Sequence, residues 1–270
     1  MESQNLQKPL LGRVALISGG GTGIGGGIAL AFAHAGARVV VCGRRREPLD
    51  KTVSELKALG ADAAVVIGDV SKPADCRRII AETVAQFGAL HTLVNNAGIA
   101  RYAALADTSD DDLAMMLDTN VKGTMLLTKY ALPELEKQSA ATKKDGATRA
   151  DASVLIVASS VADKPLKDFS VYSAGKAALV HFTRCMALEL GAKRIRVNCI
   201  NPGVVETPIF GTMMPSAAVP HAMGMYAGMT PLGRVGQPDD IARAALFLVS
   251  PQSEWITGAV LTVDGGISLS

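Results

Sequence analysis

The chain has 270 residues, 49% of them hydrophobic, and a formal net charge of +2. A charge this close to zero suggests neither a nucleic-acid partner nor an anionic membrane, and the hydrophobic content is ample for a large core. The first residues are polar, unlike a signal peptide, and no stretch of about 20 residues is apolar enough to span a bilayer.

Short apolar segments alternate with helical patterns along the whole chain. Strands are predicted at 13–18, 38–42, 63–67, 90–94, 153–158, 194–199 and 259–262. Helices are predicted at 23–35, 48–59, 72–87, 110–137 and 238–249, with a further helix that carries Tyr172 and ends near 190. This alternation predicts an α/β fold with a parallel sheet covered by helices on both faces, hence one doubly wound Rossmann-type domain over residues 1–270.

Two segments interrupt the alternation. Residues 139–151 are polar and are predicted to form an exposed loop, to which we assign no function. Residues 208–231 are rich in Met, Gly and Pro, and form either a packed surface excursion or a mobile substrate lid. We favour the lid because of its position relative to the motifs below, and because Met adapts to varied apolar ligands.

A glycine-rich turn, Ser18-Gly-Gly-Gly-Thr-Gly-Ile-Gly25, joins the first strand to the first helix. Glycines let a backbone approach a pyrophosphate, and the helix N-terminus offers free N–H groups. Several registers of a G-x-G-x-x-G pattern fit, so the simple match is weak. The spacing Gly19-xxx-Gly23-x-Gly25 between a strand and a helix is more specific.

The second strand runs into Cys42-Gly43-Arg44-Arg45-Arg46, where dinucleotide sites often carry an acidic residue for the ribose 2′-hydroxyl. Arginines suit a 2′-phosphate by charge and by the geometry of their guanidinium groups. A solvated basic turn is the alternative interpretation. The position after the glycine turn favours NADP(H) over NAD(H).

Polar residues follow other predicted strands at the carboxyl edge of the sheet, where ligands bind in such folds. They are Asp69, Asn95-Asn96-Ala97-Gly98, Ser159-Ser160 and Asn201-Pro202-Gly203. Tyr172 and Lys176 are four residues apart and therefore share one face of a helix. A nearby ammonium would lower the phenol pKa and make the tyrosine a general acid or base, although such a pair is often only a packed ring and a solvated charge.

Together these motifs resemble the short-chain dehydrogenase/reductase family, in particular its 3-oxoacyl reductases. The similarity extends to Trp255-Ile-Thr-Gly258 and Val263-Asp-Gly-Gly266, and covers the chain from about 12 to 266. The resemblance implies a seven-stranded sheet and a catalytic tetrad of Asn120, Ser160, Tyr172 and Lys176. In this tetrad Tyr172 exchanges the proton, Ser160 bonds the substrate oxygen, and Asn120 holds a water that connects Lys176 to solvent.

The family commonly has its serine thirteen positions before the tyrosine, where Ser159 lies, whereas Ser160 lies at twelve. We choose Ser160, because the family's serine pair normally uses its second member. The cofactor is expected to contact Gly19, Gly21, Thr22, Gly23, Ile24, Gly25, Arg44, Arg45, Asp69, Val70, Asn96, Ala97, Gly98, Tyr172, Lys176, Pro202, Gly203, Val205 and Thr207.

The predicted function is NADP(H)-dependent interconversion of a ketone and a secondary alcohol. The apolar 208–231 segment suggests a hydrophobic substrate such as a 3-oxoacyl thioester, a steroid or a cyclic ketone. The alternatives are a non-catalytic NADP(H)-binding sensor, and an epimerase or dehydratase, for whose nucleotide-sugar domain the C-terminal half leaves little room. The resemblance also implies a homotetramer.

The four cysteines form no C-x-x-C pair, and each lies in an apolar or helical segment. Reduced buried thiols and a cytoplasmic location are therefore expected. The four histidines have no ligand spacing between them, so no metal site is predicted.

Overall fold

The computed structural model describes residues 8–144 and 152–270. Its strands form one sheet in the order β3-β2-β1-β4-β5-β6-β7, and every neighbouring pair is parallel. The strands are β1 (Val14–Ser18), β2 (Arg38–Gly43), β3 (Ala63–Ile67), β4 (Thr92–Asn95), β5 (Ala152–Val157), β6 (Ile195–Pro202) and β7 (Val260–Val263). The predicted seven-stranded parallel sheet is confirmed.

Helices cover both faces of this sheet, as a doubly wound fold requires. They are α1 (Gly23–His34), α2 (Arg46–Ala58), α3 (Pro73–Phe87), α4 (Asp110–Leu117), α5 (Gly123–Lys144), α6 (Ser170–Gly191), α7 (Val219–Met229) and α8 (Pro238–Val249). Local signals set several of their ends. The Ser109 side chain caps α4, and α3 begins at Pro73 and stops at Gly88, which has a φ of 75°.

The core has two layers because the sheet is buried on both sides. Phe32 of α1, Leu56 of α2 and Ile241 of α8 pack on one face. Leu127 of α5 and Leu179 of α6 pack on the other. Strands β1 and β5 are buried along their whole length, which explains why their sequences are mostly apolar. Strand β6 is equally buried although it carries Arg196, Asn198 and Asn201.

The helix predicted at 110–137 differs from the observed structure in two ways. A π-helical turn, Asp118–Lys122, separates α4 from α5, and α5 continues to Lys144. The loop prediction for 139–151 is therefore wrong for 139–144, and the remainder lies outside the described residues. Ser139 is buried, and its hydroxyl donates a hydrogen bond to the Lys193 carbonyl at 2.6 Å, which fixes this part of the helix.

Across residues 8–144 and 152–270, no helix is both long enough and apolar enough to cross a bilayer.

Candidate active site

A cavity of about 780 Å³ lies at the carboxyl ends of the strands. The loops that follow β1 to β6 all contribute to its wall. The strand order reverses between β1 and β4, and the resulting crevice is where ligands bind in open α/β sheets. The volume falls within the range typical of ligand and cofactor sites.

The glycine-rich turn forms one end of this cavity. Gly19 and Gly23 have positive φ angles of 66° and 53°, which other residues rarely adopt. A Cβ atom on Gly25 would lie 2.3 Å from the Gly19 carbonyl oxygen, so only glycine lets α1 begin this close to the turn. The Thr22 side chain makes no capping hydrogen bond, and the N-terminus of α1 can offer its backbone N–H groups to an anion.

Ser18 and Asn96 hold the glycine turn against the loop after β4. The Ser18 hydroxyl accepts hydrogen bonds from the backbone N–H groups of Asn96 and Ala97 at 3.0 and 3.1 Å. The Asn96 side chain donates to the Ser18 and Gly19 carbonyls at 3.0 and 3.2 Å. Asn96 was predicted to contact the cofactor, and the structure adds a bracing role for its amide.

Arg44 and Arg45 line the cavity beyond the end of β2. Both side chains are exposed, and neither guanidinium has an ion pair or hydrogen bond within the part of the chain that the structure describes. Arg46 differs, because it lies outside the cavity wall and approaches the Asp50 carboxylate at 3.9 Å. Two unpaired cations at this position can bind a phosphate group.

The Tyr172 hydroxyl forms a hydrogen bond with Ser159. Burial raises the pKa of Tyr172 to about 12, and the Ser159 hydrogen bond offsets only part of this effect. The lowered pKa expected from the neighbouring lysine is therefore not found, since the Lys176 Nζ lies 5.5 Å from the centre of the phenol ring and the cost of burying a phenolate dominates.

The hydrogen bond to Tyr172 also bears on the choice between the two serines. Ser159 is in extended backbone just beyond β5 and presents its hydroxyl to Tyr172, whereas Ser160 begins a short 3-10 helix. Both line the cavity. The geometry therefore favours Ser159 over the predicted Ser160, in agreement with the spacing of thirteen residues.

Lys176 is 4% exposed, and its ammonium donates a hydrogen bond to the Val157 carbonyl at 2.9 Å. Burial lowers its pKa to about 8. The ammonium therefore remains the main form at pH 7, by a smaller margin than for an exposed lysine. Burial therefore opposes the charged forms of both Lys176 and Tyr172.

Asn120 lies in the π-helical turn and does not face the cavity directly. Its side chain accepts a hydrogen bond from the Ile99 N–H at 2.8 Å and donates one to the Ile99 carbonyl at 2.9 Å. A Cβ atom on Gly98 would lie 3.3 Å from the Asn120 Oδ1 and 3.7 Å from the Lys176 Nζ, so the three residues converge. π-Helical turns such as the one that carries Asn120 are frequent at functional sites.

The cavity brings together most of the residues predicted to contact the cofactor. Of those residues, only Gly25 is absent from the wall, because it packs against the turn from behind. Prediction from the sequence missed Tyr102, Phe169 and Lys164, which also line the cavity. Tyr102 and Phe169 lie in irregular loops outside the recognised motifs, and no local pattern marks them.

The 208–231 segment contributes to the wall of the same cavity as Tyr172. It contains two 3-10 turns, Pro208–Thr212 and Ser216–Ala218, followed by α7. Its Ile209, Phe210, Met213 and Tyr226 line the wall.

Arg101 links this segment to α4. Its guanidinium donates a hydrogen bond to the Thr212 carbonyl at 3.4 Å and pairs with the Asp112 carboxylate at 3.3 Å. The loop after β4 and the 208–231 segment are thereby connected across the mouth of the site.

These features fit a dinucleotide. The glycine turn and the start of α1 suit a pyrophosphate, Arg44 and Arg45 suit a further phosphate, and Tyr172 and Lys176 line the same cavity.

Comparison with known proteins agrees with this interpretation. Residues 19–268 match the family model described as enoyl-(acyl carrier protein) reductase. The chain belongs to the short-chain dehydrogenase/reductase family, and it is an oxidoreductase that acts on CH–OH groups with a nicotinamide cofactor. With Tyr172 and Lys176 both present in the cavity, the non-catalytic alternative is set aside.

Two curated relatives show the range of reductases that this chain resembles. It is 34% identical to versicolorin reductase 1 of Aspergillus parasiticus, over 94% of this chain and 96% of that protein. It is 33% identical to a 3-oxoacyl-acyl-carrier-protein reductase of Thermotoga maritima, over 96% of this chain and 98% of that protein.

A solved structure shows the same fold. The 3-ketoacyl-acyl-carrier-protein reductase of Brucella melitensis, crystallised with NADH, is 34% identical to this chain. It superposes with a TM-score of 0.86, over 96% of this chain and 99% of that one.

Proposed function

We propose that this protein is an NADP(H)-dependent oxidoreductase that interconverts an apolar ketone and its secondary alcohol. The observation that supports the cofactor preference is that Arg44 and Arg45, at the end of β2, have no partner for their guanidinium groups among residues 8–144 and 152–270. A 2′-phosphate would neutralise these cations, and charge-assisted hydrogen bonds to arginine are among the stronger ones in proteins.

Tyr172 is the proton donor in this proposal. Its raised pKa keeps the phenol protonated at neutral pH, so it can donate to a carbonyl oxygen as negative charge develops there. Ser159 then contributes a second hydrogen bond to that oxygen and orients the phenol. The nicotinamide, when bound, supplies the hydride.

Lys176 and Asn120 assist this proton transfer. The Lys176 ammonium, near its pKa at neutral pH, can replace the proton that Tyr172 gives up. Asn120 holds the Ile99 backbone, and with it the loop after β4, beside that ammonium. In the direction of oxidation the phenol must first lose its proton, which burial disfavours, so we expect the rate of alcohol oxidation to rise with pH.

The 208–231 segment acts as a lid in our proposal. It contributes apolar side chains to the cavity wall, and Arg101 joins its Thr212 carbonyl to the loop after β4. Closure over the substrate would exclude water from the reacting carbonyl. A 3-oxoacyl thioester, a steroid or a cyclic ketone remains compatible with such a wall.

The protein is further proposed to form a homotetramer. Leu117 and Met125 of α4 and α5 are each 39% exposed, and a second exposed apolar group surrounds β7. Exposed apolar positions of this kind often mark contacts between subunits. The cytoplasmic location expected from the cysteines stays a prediction.

The cofactor proposal is tested by titrating the protein with NADPH and NADH and comparing kcat/KM for the two in ketone reduction. Arg44→Asp should lower the NADPH to NADH ratio of kcat/KM by about 10- to 100-fold, since one or two hydrogen bonds to a charged group are lost. Arg46→Asp is the matched control, because Arg46 faces Asp50 and lies outside the cavity wall. A wild-type preference for NADH, or an unchanged ratio in Arg44→Asp, would refute the proposal.

A further inference from the structure

Aromatic rings are concentrated in the wall of the cavity. The chain has six Phe, four Tyr and one Trp, so aromatic residues make up only 4% of it. Five of these eleven rings line the cavity: Tyr102, Phe169, Tyr172, Phe210 and Tyr226. Because aromatic residues are so scarce elsewhere, this wall is specialised beyond being merely apolar.

Three of the rings form one wall that includes the proposed proton donor. The ring centres of Phe169 and Tyr172 lie 4.6 Å apart, and those of Tyr102 and Phe169 lie 5.7 Å apart. A backbone hydrogen bond of 2.8 Å from Ala103 to Asp168 holds the two loops together. Phe169 is buried, whereas Tyr102 is 56% exposed and leaves much of its ring open to a ligand.

The 208–231 segment supplies a second aromatic pair. The ring centres of Phe210 and Tyr226 lie 6.2 Å apart, and both side chains remain partly accessible. Met213 and Met229 lie in the same segment and also line the cavity. Thioether sulfurs make favourable contacts with aromatic rings, so this part of the wall suits a ring as well as an aliphatic group.

We propose that the substrate is a planar aromatic ketone, or the alcohol formed from it, whose ring lies between these two aromatic walls. This inference rests on the proposed ketone reduction. Rings in offset or tilted contact with Phe and Tyr gain more than their buried area alone provides, and two walls would orient the carbonyl towards Tyr172. A 3-oxoacyl thioester would make poorer use of these rings, since its acyl chain offers no π system.

The test compares 2-tetralone with 2-decalone, which share a bicyclic skeleton but differ in one aromatic ring. Neither carbonyl is conjugated, so their intrinsic reactivities are similar. The wild-type protein with NADPH should give a kcat/KM for 2-tetralone about 10-fold or more above that for 2-decalone, from one or two ring contacts. The kcat/KM is also measured for an acetoacetyl thioester, which represents the 3-oxoacyl substrates.

Variants of the aromatic residues test which rings produce the preference for 2-tetralone over 2-decalone. Tyr226→Leu and Phe210→Leu should each lower the tetralone to decalone ratio by about 5- to 10-fold, because a leucine preserves apolar volume without a ring. Phe247→Leu makes the same change on α8, outside the cavity, and should leave the ratio at its wild-type value.

Each outcome decides a different point. Equal rates for the two bicyclic ketones, or a clear preference for the thioester, would overturn the aromatic-substrate inference and leave ketone reduction standing. If none of the three compounds were reduced while NADPH still bound, the proposed function and the inference would both fall.

Discussion

Tyr172 and Lys176 are a pair of buried titratable groups whose environments work against their charged forms. Burial moves the pKa of the phenol up to about 12 and that of the ammonium down to about 8. Burying the charge of a lysine destabilises the folded state, so a lysine is rarely buried unless it has a function there. We interpret this loss of stability as the consequence of placing two residues in a site that excludes water: Tyr172, the proposed proton donor, and Lys176, which replaces its proton.

Lys176→Met should therefore stabilise the fold near neutral pH. Below pH 8 the lysine is protonated in both the folded and unfolded states, and the shift from 10.5 to about 8 costs the folded state at most about 3 kcal/mol. As the pH rises from about 8 to 10.5, the folded state loses its proton first and the cost disappears. Urea titrations near pH 7 and near pH 10 measure the difference.

The gain in the Lys176→Met variant should thus be about 1–3 kcal/mol near pH 7, after loss of the hydrogen bond to Val157, and should shrink towards pH 10. Tyr172 titrates in the same way in both proteins and cancels from the comparison. A gain that stayed constant with pH would contradict the assignment of the cost to a buried ammonium.

The two serines give a second prediction about single side chains. Ser159→Ala should lower kcat about 100-fold or more in ketone reduction, because it removes a hydrogen bond from the reacting oxygen and from Tyr172. Ser160→Ala is the matched variant one position along, and should lower kcat less than about 10-fold. Tyr172→Phe gives the reference for complete loss of the proton donor. The reverse order of the two serine variants would restore Ser160 as the catalytic serine.

Among the structural elements, those that form the mouth of the site are the least regular. The π-helical turn Asp118–Lys122 places Asn120 against Ile99, and the 208–231 segment covers the cavity with two short 3-10 turns and α7. Between them, Arg101 spans from Asp112 to the Thr212 carbonyl. Elements held by few contacts are the ones that can open for a ligand.

Arg101→Ala should loosen this connection and weaken substrate binding. Loss of one hydrogen bond predicts a rise of about three- to fivefold in the KM for a ketone, with a smaller change in kcat. Hydrogen exchange over residues 208–231 should become faster. Asp112→Asn removes the ion pair but keeps the bond from Arg101 to Thr212, and should have a weaker effect. Unchanged KM and exchange in Arg101→Ala would show that Arg101 does not position the lid.

At the level of the assembly, the exposed apolar side chains near β7 matter most. Trp255 is 98% exposed, Leu188 of α6 is 85% exposed and Leu261 of β7 is 36% exposed. A Cβ atom on Gly258 would lie 3.3 Å from the Ala187 Cβ, so the segment after Trp255 packs beside α6. As β7 is also an edge strand, this surface suits a second copy of the chain.

Light scattering after gel filtration should give the mass of a tetramer for the wild-type protein. Trp255→Asp should break the contact near β7 and leave dimers, because a charge is buried without a partner there. Leu59→Asp changes a leucine that is 47% exposed at the end of α2, far along the sheet, and should leave the tetramer intact. A monomeric wild-type protein would refute the assembly.

Much of the fold and the cofactor end of the site could be predicted because local patterns encode them. Apolar runs of five or six residues mark buried parallel strands, and the glycine turn after β1 encodes a tight approach of backbone to backbone. The arginines after β2 could be placed at the ligand edge in the same way, since chain connectivity puts the end of every parallel strand there.

Tertiary structure alone decided the properties that depend on contacts between distant segments. Our proposal of Ser159 in place of Ser160 rests on which hydroxyl reaches Tyr172, a contact between segments that no local pattern encodes. The pKa of Tyr172 is raised where proximity to Lys176 predicted the opposite, because burial is a property of the packed site and not of helical spacing. The aromatic wall joins rings from separate loops, and only the folded chain brings Tyr102 and Phe169 to the same cavity.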